Sequence, residues 1–137
     1  ILDVRRTLEL RTASLAALRR SDTEARALLE VVARMFEALE HDADAIMELD
    51  IQFHEIIARP SGHAPSSLLV DSFRVITRQT WAIGWRSRGS YENRLENIRC
   101  HERIATAILA QDAGRAEAAI AEHFDSAVIV LLRAGVT

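Results

Sequence analysis

The sequence contains no lysine, only one cysteine, and few residues that break helices. The single Cys100 excludes a disulfide within the chain and fits a reducing cytoplasm. Two prolines and five glycines lie almost entirely outside the periodic hydrophobic segments. This scarcity favours helices joined by short loops, with little or no β-strand.

The charge and hydropathy of the chain exclude two classes of direct partner. Seventeen basic and twenty acidic residues give a net charge of -3, so the chain has no general attraction for phosphate backbones. No hydrophobic run approaches the length of a membrane span. We therefore expect a soluble, cytoplasmic protein that binds neither nucleic acid directly nor a membrane.

The length of 137 residues suits one ordinary domain with its own core, so we predict a single domain over residues 1–137. The chain opens on Ile1 and not on methionine. We therefore expect an upstream part of the natural protein to be missing here.

Hydrophobic periodicity and capping signals predict an all-α fold, a single antiparallel bundle of about six helices. In the first helix, Val4, Leu8, Leu15 and Leu18 are expected to point inward. The other helices begin at recognisable caps: Ser21 with Glu24 as a capping box, Asp42 or Asp44, Ser66, and Asp112. The predicted helices cover about 2–19, 22–40, 43–59, 67–86, 91–110 and 113–134.

The stretch MELDIQFHEII, residues 47–57, places two polar groups on the apolar side of the third predicted helix. Asp50 and His54 are four residues apart, so they point in nearly the same direction as Phe53 and Ile57. A carboxylate and an imidazole that face a core need partners, because burying them unpaired costs several kcal/mol.

Two further histidines lie on the apolar faces of later helices. His101 shares its face with Ile104 and Ile108, and His123 follows Ile120. His41 lies at a helix end and His63 in a loop, where solvated or capping roles are expected, so neither is included in the site.

One inward carboxylate and three inward imidazoles from three helices form a usual ligand set for a divalent metal. Zinc or nickel leads, with manganese and cobalt as alternatives. The competing interpretation is that Asp50 and His54 pair with each other while His101 and His123 satisfy local backbone groups. The residues alone leave both interpretations open, although a cation would compensate the carboxylate and the imidazole lone pairs together.

Three segments resemble the FCD domain, the ligand-binding C-terminal half of FadR-type GntR transcription regulators. They are VRRTLE near the start, ELDIQFHEIIARPSGH in the middle, and HERIATAILAQDAGRAEAAIAEH near the end. The resemblance covers nearly the whole chain. It implies that Asp50, His54, His101 and His123 hold a divalent metal at the floor of an effector cavity, as in the metal-binding branch of the family.

The resemblance also suggests which residues bind an effector. Arg5 matches the family's R-x-x-L-E arginine, which reaches the cavity in related domains, although from the residues alone a surface pair with Glu9 is the simpler interpretation. Arg78 lies one turn before Trp81 and is a second candidate for binding an anion. Asn97 precedes His101 by four residues and is a candidate polar contact.

The resemblance implies a sensor and not an enzyme. The expected ligand is a small carboxylate or sugar acid, the expected assembly is a homodimer, and DNA binding is expected only through the missing winged helix-turn-helix domain. Two alternatives remain: a metal-dependent hydrolase, or a purely structural helical bundle. The usual H-E-x-x-H arrangement of a zinc hydrolase is missing.

Overall fold

A computed structural model describes residues 2–59 and 64–135, and within these ranges the only regular secondary structure is α-helix. The prediction of an all-α fold with about six helices is confirmed. The helices are α1 (Leu2–Arg19), α2 (Asp22–Ala38), α3 (Ala43–Ala58), α4 (Ala64–Ser87), α5 (Tyr91–Leu109) and α6 (Ala113–Arg133).

Side-chain caps set the starts of several helices where the sequence predicts them. Ser21 and Glu24 form a capping box in which each side chain accepts a hydrogen bond from the other residue's backbone N–H. Of the two aspartates predicted for α3, Asp42 is the cap, and it accepts from the N–H of Ala45. Asp112 caps α6 by accepting from the N–H of Arg115. These bonds satisfy amides that have no partner within the helix.

Two details of the sequence prediction are wrong. Ser66 is not a cap, because α4 begins at Ala64 and includes it. Val4 and Leu18 do not point inward, since they are 55% and 60% exposed. Their positions belong to the outer side of α1, whereas Leu15 is buried as predicted, beside small and polar side chains.

The helices pack so that the polar positions of α3, α5 and α6 meet at one place. α1 packs along α6 and also contacts α3, α4 and α5, while α4 contacts α3 and α6. Large apolar side chains from several helices form the core beside this place. Its fully buried members include Leu28, Met35, Ile46, Phe53, Ile57, Ile98, Ile104, Ile108 and Ile120.

A search for membrane spans found none among the described helices, since none is both long and apolar enough to cross a bilayer.

Candidate metal-binding cavity

The structure brings together the four residues that the sequence predicts as metal ligands. Asp50 and His54 come from the middle of α3, His101 from α5 and His123 from α6. The three histidines are buried and Asp50 is partly buried. One ligand atom from each residue can be chosen such that all of these atoms lie within 4.8 Å of one another. Helix packing has therefore placed three imidazoles and one carboxylate around a common point.

The remaining histidines lie elsewhere, or outside the part of the chain that is described. His41 is exposed just beyond the end of α2, as expected. His63 falls between the described ranges 2–59 and 64–135.

In two of the histidine rings, Nδ1 forms a hydrogen bond to a group outside the cluster and Nε2 points toward Asp50. His101 places Nδ1 2.8 Å from the backbone carbonyl of Asn97 and Nε2 2.7 Å from Oδ1 of Asp50. His54 bonds through Nδ1 to the carboxylate of Glu9, and its Nε2 lies 3.4 Å from Oδ1 of Asp50. This arrangement leaves Nε2 of both rings facing the cluster, which is the usual orientation of a metal-binding histidine held by an outer partner.

Electrostatics within the cluster keep a carboxylate ionised and one imidazole neutral. Burial raises the pKa of Asp50, but hydrogen bonds from His101 and His54 outweigh it and hold this pKa well below its usual range. Burial also lowers the pKa of His123 well below its usual value, and the neighbouring His101 and His54 add to the effect. An ionised carboxylate and a neutral imidazole are the protonation states that a metal needs.

His54 differs because it lies between two carboxylates. Burial alone would lower its pKa, but Glu9 and Asp50 together raise the pKa of His54 to about 9. The imidazolium thus compensates the buried carboxylates when no other cation is present. A metal would replace the proton on Nε2 of His54, and its positive charge would then compensate the carboxylate of Asp50.

The donor set fits a divalent metal. Three imidazole nitrogens and one carboxylate oxygen are ligands that zinc, nickel, cobalt and manganese accept, and the set does not select among them. Glu9 and the Asn97 carbonyl orient the rings of His54 and His101 through Nδ1, so these two partners do not occupy Nε2.

A cavity of about 100 Å³ lies beside the cluster and is lined by Asp50, His54 and His123. This volume is well below the roughly 300–1,000 Å³ of pockets that hold drug-sized ligands, so it suits a small molecule. Aromatic and aliphatic side chains form one wall: Trp81, Trp85, Phe124, Ala127, Val130 and Leu131. Polar side chains form the rest: Arg5, Thr77, Thr80, Arg88 and Asn97.

Arg5 combines the two roles that the sequence leaves open. It lines the cavity, and it also pairs with Glu9, whose Oε2 lies 2.9 Å from Nη2 of Arg5. The pair is not on the surface, because Glu9 is only 1% exposed. Arg5 additionally donates to the hydroxyl of Thr77 on α4, at 3.0 Å. Arg5 therefore reaches the cavity with its charge already matched by a buried carboxylate.

The structure does not bring Arg78 into the cavity. Its side chain is 42% exposed and forms an ion pair with Glu48 on the outer face of α3. Arg88, just beyond the end of α4, lines the cavity instead, and its Nη2 lies 3.4 Å from the hydroxyl of Ser126. Burial lowers the pKa of Arg88, partly offset by the charges of Cys100 and Asp50.

Cys100 lies in a second small cluster near the surface, with Glu96 and Glu122. Arg103 donates to both glutamates, at 2.8 and 3.2 Å, and to Sγ of Cys100 at 3.0 Å. The guanidinium already compensates these acids. Burial raises the pKa of the Cys100 thiol, which disfavours the reactive thiolate form.

Sequence reasoning missed several residues of the site: Glu9, Thr77, Thr80 and Arg88. Glu9 shares a helical face with Arg5 and Thr12, which was a usable signal that the face is polar. Arg88 lies in the SRGS segment that the sequence marks only as a helix break. Nothing in that segment predicts that its arginine turns back toward α6.

Three comparisons with known proteins agree with one another. The family model described as the FCD domain matches residues 1–126. The HTH-type transcriptional regulator LutR of Bacillus subtilis (strain 168) is 30% identical over 140 residues, which cover 96% of this chain and 60% of the relative. The chain thus spans less than two thirds of the length of that relative.

Two solved structures share the fold. Streptococcus agalactiae GntR superposes with a TM-score of 0.73 and 24% identity, covering 91% of this chain and 55% of that chain. E. coli McbR/YncC superposes with a TM-score of 0.81 and 18% identity, covering 96% of this chain and 62% of that chain. At these identities the likeness establishes the six-helix fold and nothing about ligands.

Proposed function

The chain belongs to the FCD domain family, and on that premise we propose that it is the metal-dependent effector-sensing domain of a bacterial transcription regulator. The observation that carries this proposal is the convergence of Asp50, His54, His101 and His123 beside a small polar cavity. A metal held there would supply a Lewis-acidic contact for a ligand oxygen. Zinc or nickel is proposed first, with manganese or cobalt as alternatives.

The proposed effector is a small carboxylate or sugar acid. The cavity is small, and it offers the guanidinium of Arg88, the hydroxyls of Thr77 and Thr80, and the amide of Asn97. Arginine suits a carboxylate because its planar fork donates two parallel hydrogen bonds. Arg5 also lines the cavity and adds positive charge there, although its guanidinium is paired with Glu9. These groups support a ligand that is anionic and rich in oxygen.

The proposed partners follow from the net charge of the chain and from the role of its relative LutR. LutR is a transcriptional regulator, and the matched region covers 60% of it. This chain has a net charge of -3, so DNA contact is assigned to a separate DNA-binding domain. A homodimer is proposed because transcription regulators commonly match a two-fold operator with a two-fold assembly.

An enzymatic role is not supported. The expectation that the chain is not an enzyme agrees with the comparisons, since the curated relative is a transcriptional regulator. The hydrolase alternative is therefore not pursued.

Metal content and metal-dependent stability test the proposal. The purified chain is expected to carry about one divalent metal, and a strong chelator is expected to lower its melting temperature. The physical reason is mass action: a ligand that binds only the native state adds about 2.7 kcal/mol of stability at one hundred times its Kd. His101→Ala and His123→Ala are each expected to abolish the dependence, as read by elemental analysis and thermal unfolding.

His41→Ala is the matched control, because His41 is exposed and outside the cluster. It should leave both metal content and the chelator response as in the unmodified chain. No metal by elemental analysis, together with the same melting temperature with and without chelator, would contradict the proposal.

A further inference from the structure

The carboxylate of Glu9 is buried in an unusual position, between the cavity arginine and one of the candidate metal ligands. It is 1% exposed and belongs to α1, whereas His54 belongs to α3. One oxygen, Oε1, accepts from Nδ1 of His54, and the other, Oε2, accepts from Arg5. A carboxylate is costly to bury unless both oxygens have charged or hydrogen-bonding partners, and here both do.

The bond to His54 decides which ring nitrogen is offered to the cluster. Because Glu9 accepts at Nδ1, this nitrogen carries a proton, and Nε2 is left as the ligand atom. Nε2 is also the atom that lies 3.4 Å from Asp50. Without Glu9, the ring would lose the contact that fixes both its tautomer and its rotation.

The two oriented histidines are held in physically different ways. His101 is oriented by the backbone carbonyl of Asn97, four residues earlier on its own helix. His54 is oriented by a side chain 45 residues away, on a different helix. The geometry of His101 is therefore local to α5, whereas the geometry of His54 depends on where α1 lies.

We propose that Glu9 is a positioning residue for the metal site, which holds His54 in its ligating orientation and thereby couples metal binding to the packing of α1. This inference rests on the proposed metal-binding function. It assigns to α1 a direct energetic link with the site, through one hydrogen bond, in addition to the link from Arg5 to Thr77 on α4. A metal bound at Nε2 of His54 would fix the ring with its Nδ1–H directed at Glu9, and would thereby maintain the contact between α1 and α3.

The first test is zinc affinity, measured with a competing chromophoric chelator. Glu9→Ala is expected to weaken zinc binding by about 10- to 100-fold, the usual effect of removing a partner of a metal-binding histidine. Glu9→Gln should recover most of this loss, because its amide oxygen still accepts from Nδ1. The control is Thr12→Val: Thr12 is buried on the same face of α1, and its hydroxyl donates to the backbone carbonyl of Glu9 and not to His54.

A spectroscopic test separates positioning from simple support of the fold. In the NMR spectrum of the unmodified chain, the Nδ1–H proton of His54 should be shifted downfield and should exchange slowly with water, because it is bonded to a buried carboxylate. The same resonance should remain in Thr12→Val and in Glu9→Gln, less shifted in the latter. It should be lost from Glu9→Ala, and its assignment is checked by its absence from His54→Gln.

Hydrogen exchange at saturating zinc tests the link to α1. Zinc should slow amide exchange in α1 and α5 of the unmodified chain and of Thr12→Val. In Glu9→Ala, zinc should still slow exchange in α5 but no longer in α1. If Glu9→Ala does not fold, the same comparison is made with Glu9→Gln, which should retain an α1 response.

The inference is overturned if Glu9→Ala binds zinc within about twofold of the unmodified chain and keeps the zinc-dependent protection of α1. Failure of the proposed function looks different, because the unmodified chain would then bind no zinc. In that case the positioning role falls with it, whatever the Nδ1 resonance of His54 shows.

Discussion

Asp50 is the single carboxylate on which two of the imidazoles converge. Its Oδ1 lies 2.7 Å from Nε2 of His101 and 3.4 Å from Nε2 of His54. The oxygen that organises these rings is therefore also the oxygen that a metal between them would use. The hydrogen-bonded cluster and the proposed metal site are built from the same contacts, which is why the sequence alone cannot separate the two interpretations.

The two arginines of the cavity differ in how much of their charge is already matched. Arg5 bonds to the buried carboxylate of Glu9 and to Thr77. Arg88 is partly buried, and its bond to Ser126 is long, at 3.4 Å. A bound carboxylate would compensate Arg88 more than Arg5, since Glu9 already neutralises the latter. The family resemblance suggests Arg5 as the effector contact, and the lining of the cavity makes Arg88 a further candidate, whose charge is less fully matched.

We predict that Arg88→Met weakens the binding of small acids to the zinc-loaded chain by about 10- to 100-fold. Loss of a hydrogen bond to a charged group costs about 1.5–3 kcal/mol, and each 1.4 kcal/mol is a tenfold change in affinity. Calorimetric titration with acetate, succinate, citrate and gluconate measures the effect. The zinc content of the variant should be unchanged.

Arg78→Met provides the matched control, because Arg78 is paired with Glu48 on the surface and lies outside the cavity. It should bind the same acids as tightly as the unmodified chain does. Equal losses in the two variants would mean that the effect is one of general charge and not of a contact in the cavity.

The clustering of Asp50, His54, His101 and His123 could be predicted because the direction of each side chain is fixed by its own helix. Asp50 and His54 are one turn apart, and the positions of His101 and His123 follow from the hydrophobic period around them. Glu9 could not be assigned its role in this way. Its partner lies 45 residues away, and only the packing of α1 against α3 brings the two together.

At the scale of elements, α1 shows where hydrophobic periodicity fails as a guide. Its buried face contains the small residues Ala13, Ala16 and Ala17, together with Glu9 and Thr12, while Val4 and Leu18 are exposed. Small side chains let neighbouring helices approach closely, and the polar ones serve the site. A rule that turns the largest apolar residues inward is therefore right for Leu15, which is 5% exposed, and wrong for Val4 and Leu18.

The other helices were predictable because their ends carry local signals. The capping residues Ser21, Asp42 and Asp112 each bond to an amide three residues later. Such bonds depend only on neighbouring sequence, so they can be recognised without the fold. The start of α4 has no comparable signal at Ser66, and the predicted first residue, 67, lies three residues after the observed one, Ala64.

The capping box of α2 is expected to contribute measurable stability. Ser21→Ala removes the acceptor for the N–H of Glu24, and the usual cost of such a change is about 0.5–2 kcal/mol. Urea unfolding of the metal-free chain should show this loss with an unchanged denaturant slope.

Thr23→Ala, an exposed change in the same turn, is the control for α2 and should shift stability by no more than about 0.5 kcal/mol. A loss of similar size in both variants would show that the turn is sensitive to any substitution and that the box is not special.

At the scale of the whole molecule, α1 connects the candidate site to most of the other helices. It contacts α3, α4, α5 and α6, and it contributes Arg5 and Glu9 to the cavity and the cluster. α2 contacts α3 and α5 and supports the side of the bundle away from the cavity. If metal or ligand binding alters the packing of α1, the contacts of α1 with α3, α4, α5 and α6 therefore change as well.

The final prediction concerns DNA binding by a full-length regulator that contains this chain. The isolated chain, with a net charge of -3, should not bind DNA, whereas the longer homodimeric protein should bind a two-fold operator. A small acid that binds the zinc-loaded site should change operator affinity by about 5- to 150-fold, the usual range of an allosteric coupling. The direction of the change depends on which state of α1 the ligand favours, because a ligand shifts an equilibrium only through differential affinity.

Gel-shift titrations with and without the most stabilising acid measure this coupling. The His101→Ala regulator is the control: it should bind the operator, because His101 is buried inside this chain and DNA contact is assigned to a separate domain, but it should not respond to the acid. A response that persists in His101→Ala would place the effector away from the metal cluster. The sensor proposal itself would be contradicted if saturating acid left the operator affinity of the unmodified regulator unchanged. Ligand binding in the cavity would then have no effect on DNA binding.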